Sequence, residues 1–294
     1  MELLLTHHSA TQVLVTCDDK PSHTFDRLGL TSSAANPLPS PKADPVACGK
    51  ILYNTLFKPD TPARHALDEK PERIVLVTSD EGLDKIPWEY IYGPDGFLVL
   101  DYPFVRGLAR EQRIAPPKLD SGLHIVAIPS QPLDNDIPAL DIEAEWHRLK
   151  EIIEGVPYAL TLERTRPPTL GQVQQLLVNQ HHCILHFMGH GDQDQTGAVL
   201  CFEKDNGQPE QVTAETFISY IQKTTFLVTL NACVSATSGE TPFSNLASAL
   251  VRQHIPYALG MRMSISDGDA RIFSQSFYDL SLIHISEPTR QAEI

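Results

Sequence analysis

At 294 residues, with 41% hydrophobic and 20% charged side chains, the chain has enough apolar material for a sizeable core in one large or two modest domains. A formal net charge of −14 argues against nucleic acid or an anionic membrane surface as partner, and no apolar run reaches transmembrane length. Five cysteines without regular spacing make neither a disulfide framework nor a C-x-x-C metal pair, and Met1–His8 lacks the basic, long apolar start of a signal peptide. The expectation is a cytoplasmic protein without metal or cofactor.

Residues 1–118 read as a smaller, β-containing section. Met1–Arg27 holds a hairpin or two short strands with apolar cores at Glu2–Leu5 and Gln12–Thr16. Leu30–Gly49 is rich in Ser, Ala, Pro and Asn and reads as a flexible loop. Ile51–Phe57 suits a short helix, and Arg73–Thr78, with its β-branched apolar residues, a strand. Ile86–Tyr92 and Phe97–Tyr102 flank the Gly93–Gly96 turn, which predicts a hairpin. Trp88 reads as a buried aromatic and Glu89 as one half of a local hydrogen bond or ion pair. Pro116–Ser121 reads as a linker.

Residues 119–280 alternate between strand and helix. Leu123–Ile128 predicts a strand. A helix at Asp141–Glu154 follows, with Ile142, Trp146, Leu149 and Ile153 at helical spacing. Ala159–Leu162 is a short strand, and Thr169-x-x-Gln172 is a capping box opening a helix. A strand from Cys183 ends at Gly189, and Val199–Phe202 is a hairpin or edge segment. Thr213 caps a helix bearing Ala214, Phe217, Ile218 and Ile221. Phe226–Cys233 is a strand, Phe243–Gln253 a helix and Tyr257–Met261 a strand. A last helix from near Asp267 carries Ala270, Phe273, Phe277 and Leu280 on one stripe. This alternation predicts a three-layer α/β fold, a mostly parallel sheet covered by helices on both faces.

Two apolar runs end at reactive side chains: Cys183–Gly191 (C-I-L-H-F-M-G-H-G) and Phe226–Cys233 (F-L-V-T-L-N-A-C). Chemistry in open α/β sheets collects at the carboxyl ends of strands, so neighbouring strands ending this way would set an imidazole beside a thiol. His186 and His190 stand four apart, but no glutamate follows His186, so the zinc-peptidase pattern is absent. His186, inside the apolar run, reads as a structural histidine with a hydrogen-bond partner, and His181 and His182 as loop residues. His190 lies between glycines that leave backbone amides free. Cys233 is followed by small residues that suit a cleft for an extended peptide. The other cysteines, Cys17, Cys48, Cys183 and Cys201, read as buried and inert.

With these motifs, the chain resembles the CHAT domain, a caspase-like member of the cysteine-peptidase superfamily that includes caspases, separases and clostripain-type enzymes. The resemblance rests on His186–Gly191 (H-F-M-G-H-G), Leu230–Cys233 (L-N-A-C), Leu246–Val251, Ile255–Met261 and Ser264–Ala270, with I-P-W-E at Ile86–Glu89 in the first half. Cys233 follows His190 at a separation compatible with the about 50 residues of the caspase pattern. Asn-Ala-Cys replaces the caspase Gln-Ala-Cys, so aspartate specificity is not carried over. The resemblance implies a cysteine endopeptidase with Cys233 as nucleophile, His190 as general acid–base, and the amides of Gly191 and Cys233 as oxyanion donors. No third orienting residue is visible.

A polypeptide substrate is implied, as is regulation by repeat or NTPase domains within a larger signalling or defence protein. Asp267 lies where related enzymes border the pocket for the side chain before the scissile bond, and a carboxylate there could select Arg or Lys. The spacing Ser266-x-x-Asp269 favours instead a capping-box start to the last helix. Two other readings stand beside the peptidase: a catalytically silent CHAT-like scaffold that binds peptides or partner domains, and an acyltransferase using the same pair. Finally, Leu280–Arg290 back-translates to a transposase adapter used in sequencing libraries. Residues 281–294 are therefore expected to be an artefactual tail.

Overall fold

The computed structural model describes residues 1–30, 38–79, 81–109, 122–134, 136–155, 160–180, 183–194, 197–221, 224–234, 243–261 and 266–285. At 81, 192–194, 197–198, 232–234, 243–245, 267 and 280–285 it describes backbone alone. The expected linker Pro116–Ser121 and the loop residues His181 and His182 fall outside the described residues. The chain forms two compact units, Met1–Arg113 and Ile114–Ile294.

In the first unit, strands β1 (Glu2–His7), β2 (Gln12–Cys17) and β3 (Lys20–Asp26) precede helices α1 (Pro45–Leu56) and α2 (Pro62–Asp68). Strand β4 (Ile74–Thr78), the short helices α3 (Glu81–Asp84) and α4 (Leu98–Asp101), and strand β5 (Phe104–Leu108) complete it. The strands make one sheet in the order β3-β2-β1-β4-β5. Where a hairpin or two strands were expected before Arg27, there are three. The third is a polar edge strand in which only Phe25 is buried, and its Pro21 is tolerated because an edge needs fewer amide donors.

The expected loop to Gly49 gives way earlier, at Pro45. Asp44 caps α1 by accepting from the Ala47 amide at 2.8 Å, with proline at the first helical position, where its missing N–H does no harm. The expected hairpin at 86–102 reduces to a single antiparallel bridge between Tyr92 and Phe97. Its flanks are a 3₁₀ turn at Trp88–Tyr90 and α4, because Trp88, Ile91 and Leu98 all turn into one core. Trp88 is fully buried, and both carboxylate oxygens of Glu89 accept from the Arg106 guanidinium, one from Nε and one from Nη2, as the sequence suggested.

The second unit runs β6 (Leu123–Pro129), α5 (Ile142–Glu154), β7 (Leu160–Arg164), α6 (Leu170–Leu177), β8 (Cys183–Asp194) and β9 (Gly197–Glu203). It continues through β10 (Pro209–Thr213), α7 (Ala214–Ile221), β11 (Thr225–Val234), α8 (Phe243–Arg252), β12 (Tyr257–Gly260) and α9 (Asp267–Ile285). Strands β7, β6, β8, β11 and β12 pair in parallel, and β9 and β10 add antiparallel pairs. This is the expected three-layer α/β arrangement. One face packs on α6, α7 and α8, the other on α5 and α9. Thr169 and Thr213 cap α6 and α7, accepting from the amides of Gln172 and Thr216.

Both motif strands outrun their expected ends: β8 continues to Asp194 and β11 to Val234. β6 pairs with β8 only as far as Pro129 opposite Met188, and from Gly191 onward β9 pairs with β8 instead. Ser130 stitches the changeover, its amide donating to the Met188 carbonyl at 2.8 Å and its hydroxyl to the Cys201 carbonyl at 2.7 Å. Gly189 owes its identity to this crossing, since a Cβ there would lie 2.9 Å from the Ser130 carbonyl oxygen.

The buried stripe of α9 is also shifted from the expected one. Ala270, Ser274 and Tyr278 are buried while Phe273 is exposed, because Ser274 and Tyr278 hydrogen-bond into the core. Helix α9 continues through residue 285, past the start of the suspected tail. Among the described residues, no helix is long and apolar enough to cross a membrane.

Phe202 is fully buried between the rings of Phe187 and Phe217, at centroid distances of 5.3 and 5.7 Å. Phe202→Ala should lower unfolding free energy in urea by about 3–5 kcal/mol with an unchanged m-value. A loss below about 1 kcal/mol would contradict this packing.

Candidate functional site

The site follows from the register of β8 and β11. Both are buried parallel strands, and Cys233 is the ladder partner of His190, as Val234 is of Gly191. Adjacent strands lie about 4.8 Å apart, so the two backbones bring the histidine and cysteine positions within one strand spacing. Alternation puts Asn231 and position 233 on one face of β11, and His186 and His190 on one face of β8. The Cys233 side chain is outside the described residues, and so is that of Asp267.

His190 is 6% exposed, and its Nε2–H donates to the Pro138 carbonyl at 2.7 Å. A carbonyl only accepts, so this bond fixes the neutral tautomer with its lone pair on Nδ1. Pro138 is thus the group that orients the His190 ring, which the sequence did not reveal. Its loop is held by Gln131, whose Oε1 accepts from the Leu140 amide at 2.9 Å and whose Nε2 reaches the Pro138 carbonyl at 3.4 Å. The Gln131 amide donates in turn to Glu203 at 2.9 Å. Burial raises the Glu203 pKa, an effect the Gln131 amide partly offsets.

Beyond the carboxyl ends of β6 and β7 lies a cleft of about 560 Å³, lined among others by Gln131, Leu140, Arg164, Arg166, Pro168 and Glu203. Gln131 and Leu140, which line this cleft, are also hydrogen-bonded to each other in the loop that carries Pro138. The Arg164 guanidinium is occupied by Glu143 and lies over Trp146.

Gly191 stands opposite Val234 on one side and Leu200 on the other, within the ladders and not at the free strand end expected for it. Asp267 is the first residue of α9. The cap there is Ser266, whose Oγ accepts from the Asp269 amide at 3.1 Å and donates to the Asp269 carboxylate at 2.7 Å. His186 is fully buried and structural, donating Nε2–H to Glu145 at 2.9 Å, with Nδ1 against the Tyr278 hydroxyl at 3.1 Å.

Glu145 is the residue that sequence reasoning passed over. It is 6% exposed on the apolar face of α5, and it also accepts from the Asn231 side-chain amide. A carboxylate within the stripe Ile142–Leu149–Ile153 was the available signal. The remaining cysteines, Cys17, Cys48, Cys183 and Cys201, are buried. Burial pushes the thiols of Cys17 and Cys183 up to about 11 and raises that of Cys48, so they are poor nucleophiles at neutral pH. Among the described residues, no group of three or more His, Cys, Asp or Glu side chains is placed to hold a metal ion.

Burial lowers the His190 pKa below 6.5, and the Pro138 hydrogen bond only partly offsets it. As pH falls through about 6.5, the unfolded chain therefore takes up this proton first. The stabilisation tied to neutral His190 is present above that value and lost as pH drops toward the folded-state pKa. The His190 ring resonances, assigned by their absence in His190→Gln, should titrate below pH 6.5. A midpoint above it would contradict the buried neutral ring.

Residues 46–292 match the protein family described as the CHAT domain. No curated protein matches the chain.

Proposed function

Because the chain belongs to the CHAT domain family, a caspase-like group within the cysteine-peptidase superfamily, we propose that it is a cysteine endopeptidase acting through Cys233 and His190. The observation that carries this reading is the ladder register that sets position 233 opposite His190. A neighbouring base that takes its proton is one of the ways in which a thiol is made a competent nucleophile. With Nε2–H committed to Pro138, the base on this ring is Nδ1.

In the proposed reaction, Nδ1 takes the Cys233 proton and the thiolate attacks the scissile carbonyl carbon. The carbonyl π electrons move to oxygen, which the amides of Gly191 and Cys233 stabilise, each such donor contributing about 2.7–4 kcal/mol. For Gly191 this requires an amide free of its two ladders. The imidazolium then protonates the departing amine, leaving an acyl-enzyme. Water, deprotonated by the same Nδ1, releases the acid and restores the thiol.

A lowered His190 pKa suits a base that must be neutral near pH 7. The substrate is then a polypeptide. Control by a repeat or NTPase domain, in a cytoplasmic signalling or defence setting, belongs to the same proposal.

Cys233→Ala and His190→Ala should each reduce peptide cleavage to background while far-UV circular dichroism stays that of the parent. Cleavage retained by either variant would overturn the assignment. Asp267→Ala should leave the cleavage profile of a peptide library unchanged, as a first-turn helix residue would. A lost preference for Arg or Lys would instead make it a specificity residue.

A further inference from the structure

Strands β8 and β11 are apolar on both faces, so hydrophobic patterning does little to choose one register between them. The polar residues do. On β8 this is His186, and on β11 they are Thr229 and Asn231, all three buried. His186 and Asn231 share one partner, a single oxygen of α5. Glu145 Oε1 accepts from His186 Nε2 at 2.9 Å, Asn231 Nδ2 at 2.5 Å and the Ser274 hydroxyl of α9 at 3.4 Å.

The far side of the His186 ring meets the Tyr278 hydroxyl, which donates onward to Thr229 at 3.4 Å, and Thr229 is the ladder partner of His186. One carboxylate thereby ties the rungs His186–Thr229 and Met188–Asn231 together, directly below the rung His190–Cys233.

We propose that Glu145 is a positioning residue: its carboxylate fixes the β8–β11 register and the Asn231 backbone, and through them the placement of Cys233 against His190. This rests on the peptidase reading. Stability alone does not account for the arrangement. Burying a carboxylate carries a heavy desolvation penalty, and apolar residues of similar volume commonly serve a core as well or better. Asn231 adds to that penalty, since its buried Oδ1 has no hydrogen-bond partner among the described residues. A core retaining both, two residues before the nucleophile, is specifying a geometry.

The test compares peptide cleavage by the full chain per reactive thiol, counted with an active-site titrant, together with melting temperature. Glu145→Met, which removes the acceptor that His186 and Asn231 share, should lower kcat per titrated site about 100-fold with KM within about twofold, the signature of misplaced catalytic groups. Glu145→Gln, whose amide oxygen still accepts from His186 and Asn231, should keep kcat within about tenfold of the parent. If Glu145→Met yields no titratable sites, Tyr278→Phe keeps the ring and removes only the hydroxyl link. It should then lower kcat per site about tenfold at unchanged KM.

Unchanged kcat per site in Glu145→Met, or in Tyr278→Phe where that is the variant measured, or a Glu145→Gln variant no better than Glu145→Met, would overturn the proposal. Cleavage surviving in Cys233→Ala would instead sink the peptidase reading beneath it. With Cys233→Ala inactive and Glu145→Met at full kcat per site, only the positioning role fails.

Discussion

The second unit depends on the parallel ladder between β8 and β11. These two strands sit under helices on both faces, so their backbone hydrogen bonds are sheltered from water and their relative placement is rigid. Everything chemical in the chain is referred to that ladder. Cys233 and His190 are partners across it, Gly191 continues it, and the changeover from β6 to β9 decides what covers its outer end. Because β6 stops at Pro129, the loop that follows is free to bring a carbonyl to the imidazole.

That carbonyl is chemically informative. A histidine serving a thiol needs a defined tautomer, and a carboxylate partner would also raise its pKa. Pro138 supplies orientation without a full charge, so burial prevails and the ring stays neutral. The buried thiols of Cys17, Cys48 and Cys183 are shifted the opposite way, away from the thiolate. Within one chain, desolvation favours the neutral form of both the histidine and these three cysteines.

The fold class was legible because alternating apolar runs and caps report directly on strands and helices, and Thr169 and Thr213 cap as expected. The histidine and cysteine strands were legible for the same reason. Their extents were not, since the stretch after His190 pairs with β9, a partner that local sequence does not announce. The 86–102 segment misled because its glycine turn is real, with the Gly93 amide bonded to the Gly96 carbonyl at 2.7 Å, while the flanks obey the core around Trp88. Pro138 acts through a backbone carbonyl, a group that every residue owns, so no residue type could mark it. Glu145 was hidden by habit of composition: a glutamate on a helix usually faces water, and only its phase against Ile142 and Leu149 betrays it. The α9 stripe slipped likewise, because Ser274 and Tyr278 are buried for their hydroxyls.

The central claim is that His190 makes Cys233 reactive across the β8–β11 ladder. A peptide acyloxymethyl ketone, which alkylates a thiolate seated beside an acid–base group, tests it most directly when the labelled site is mapped by mass spectrometry. The account predicts one modified residue, Cys233, in the parent chain, and loss of that modification in His190→Ala while the chain stays folded. Equal labelling of Cys233 in the two proteins, or labelling spread over Cys17, Cys48, Cys183 and Cys201, would contradict it.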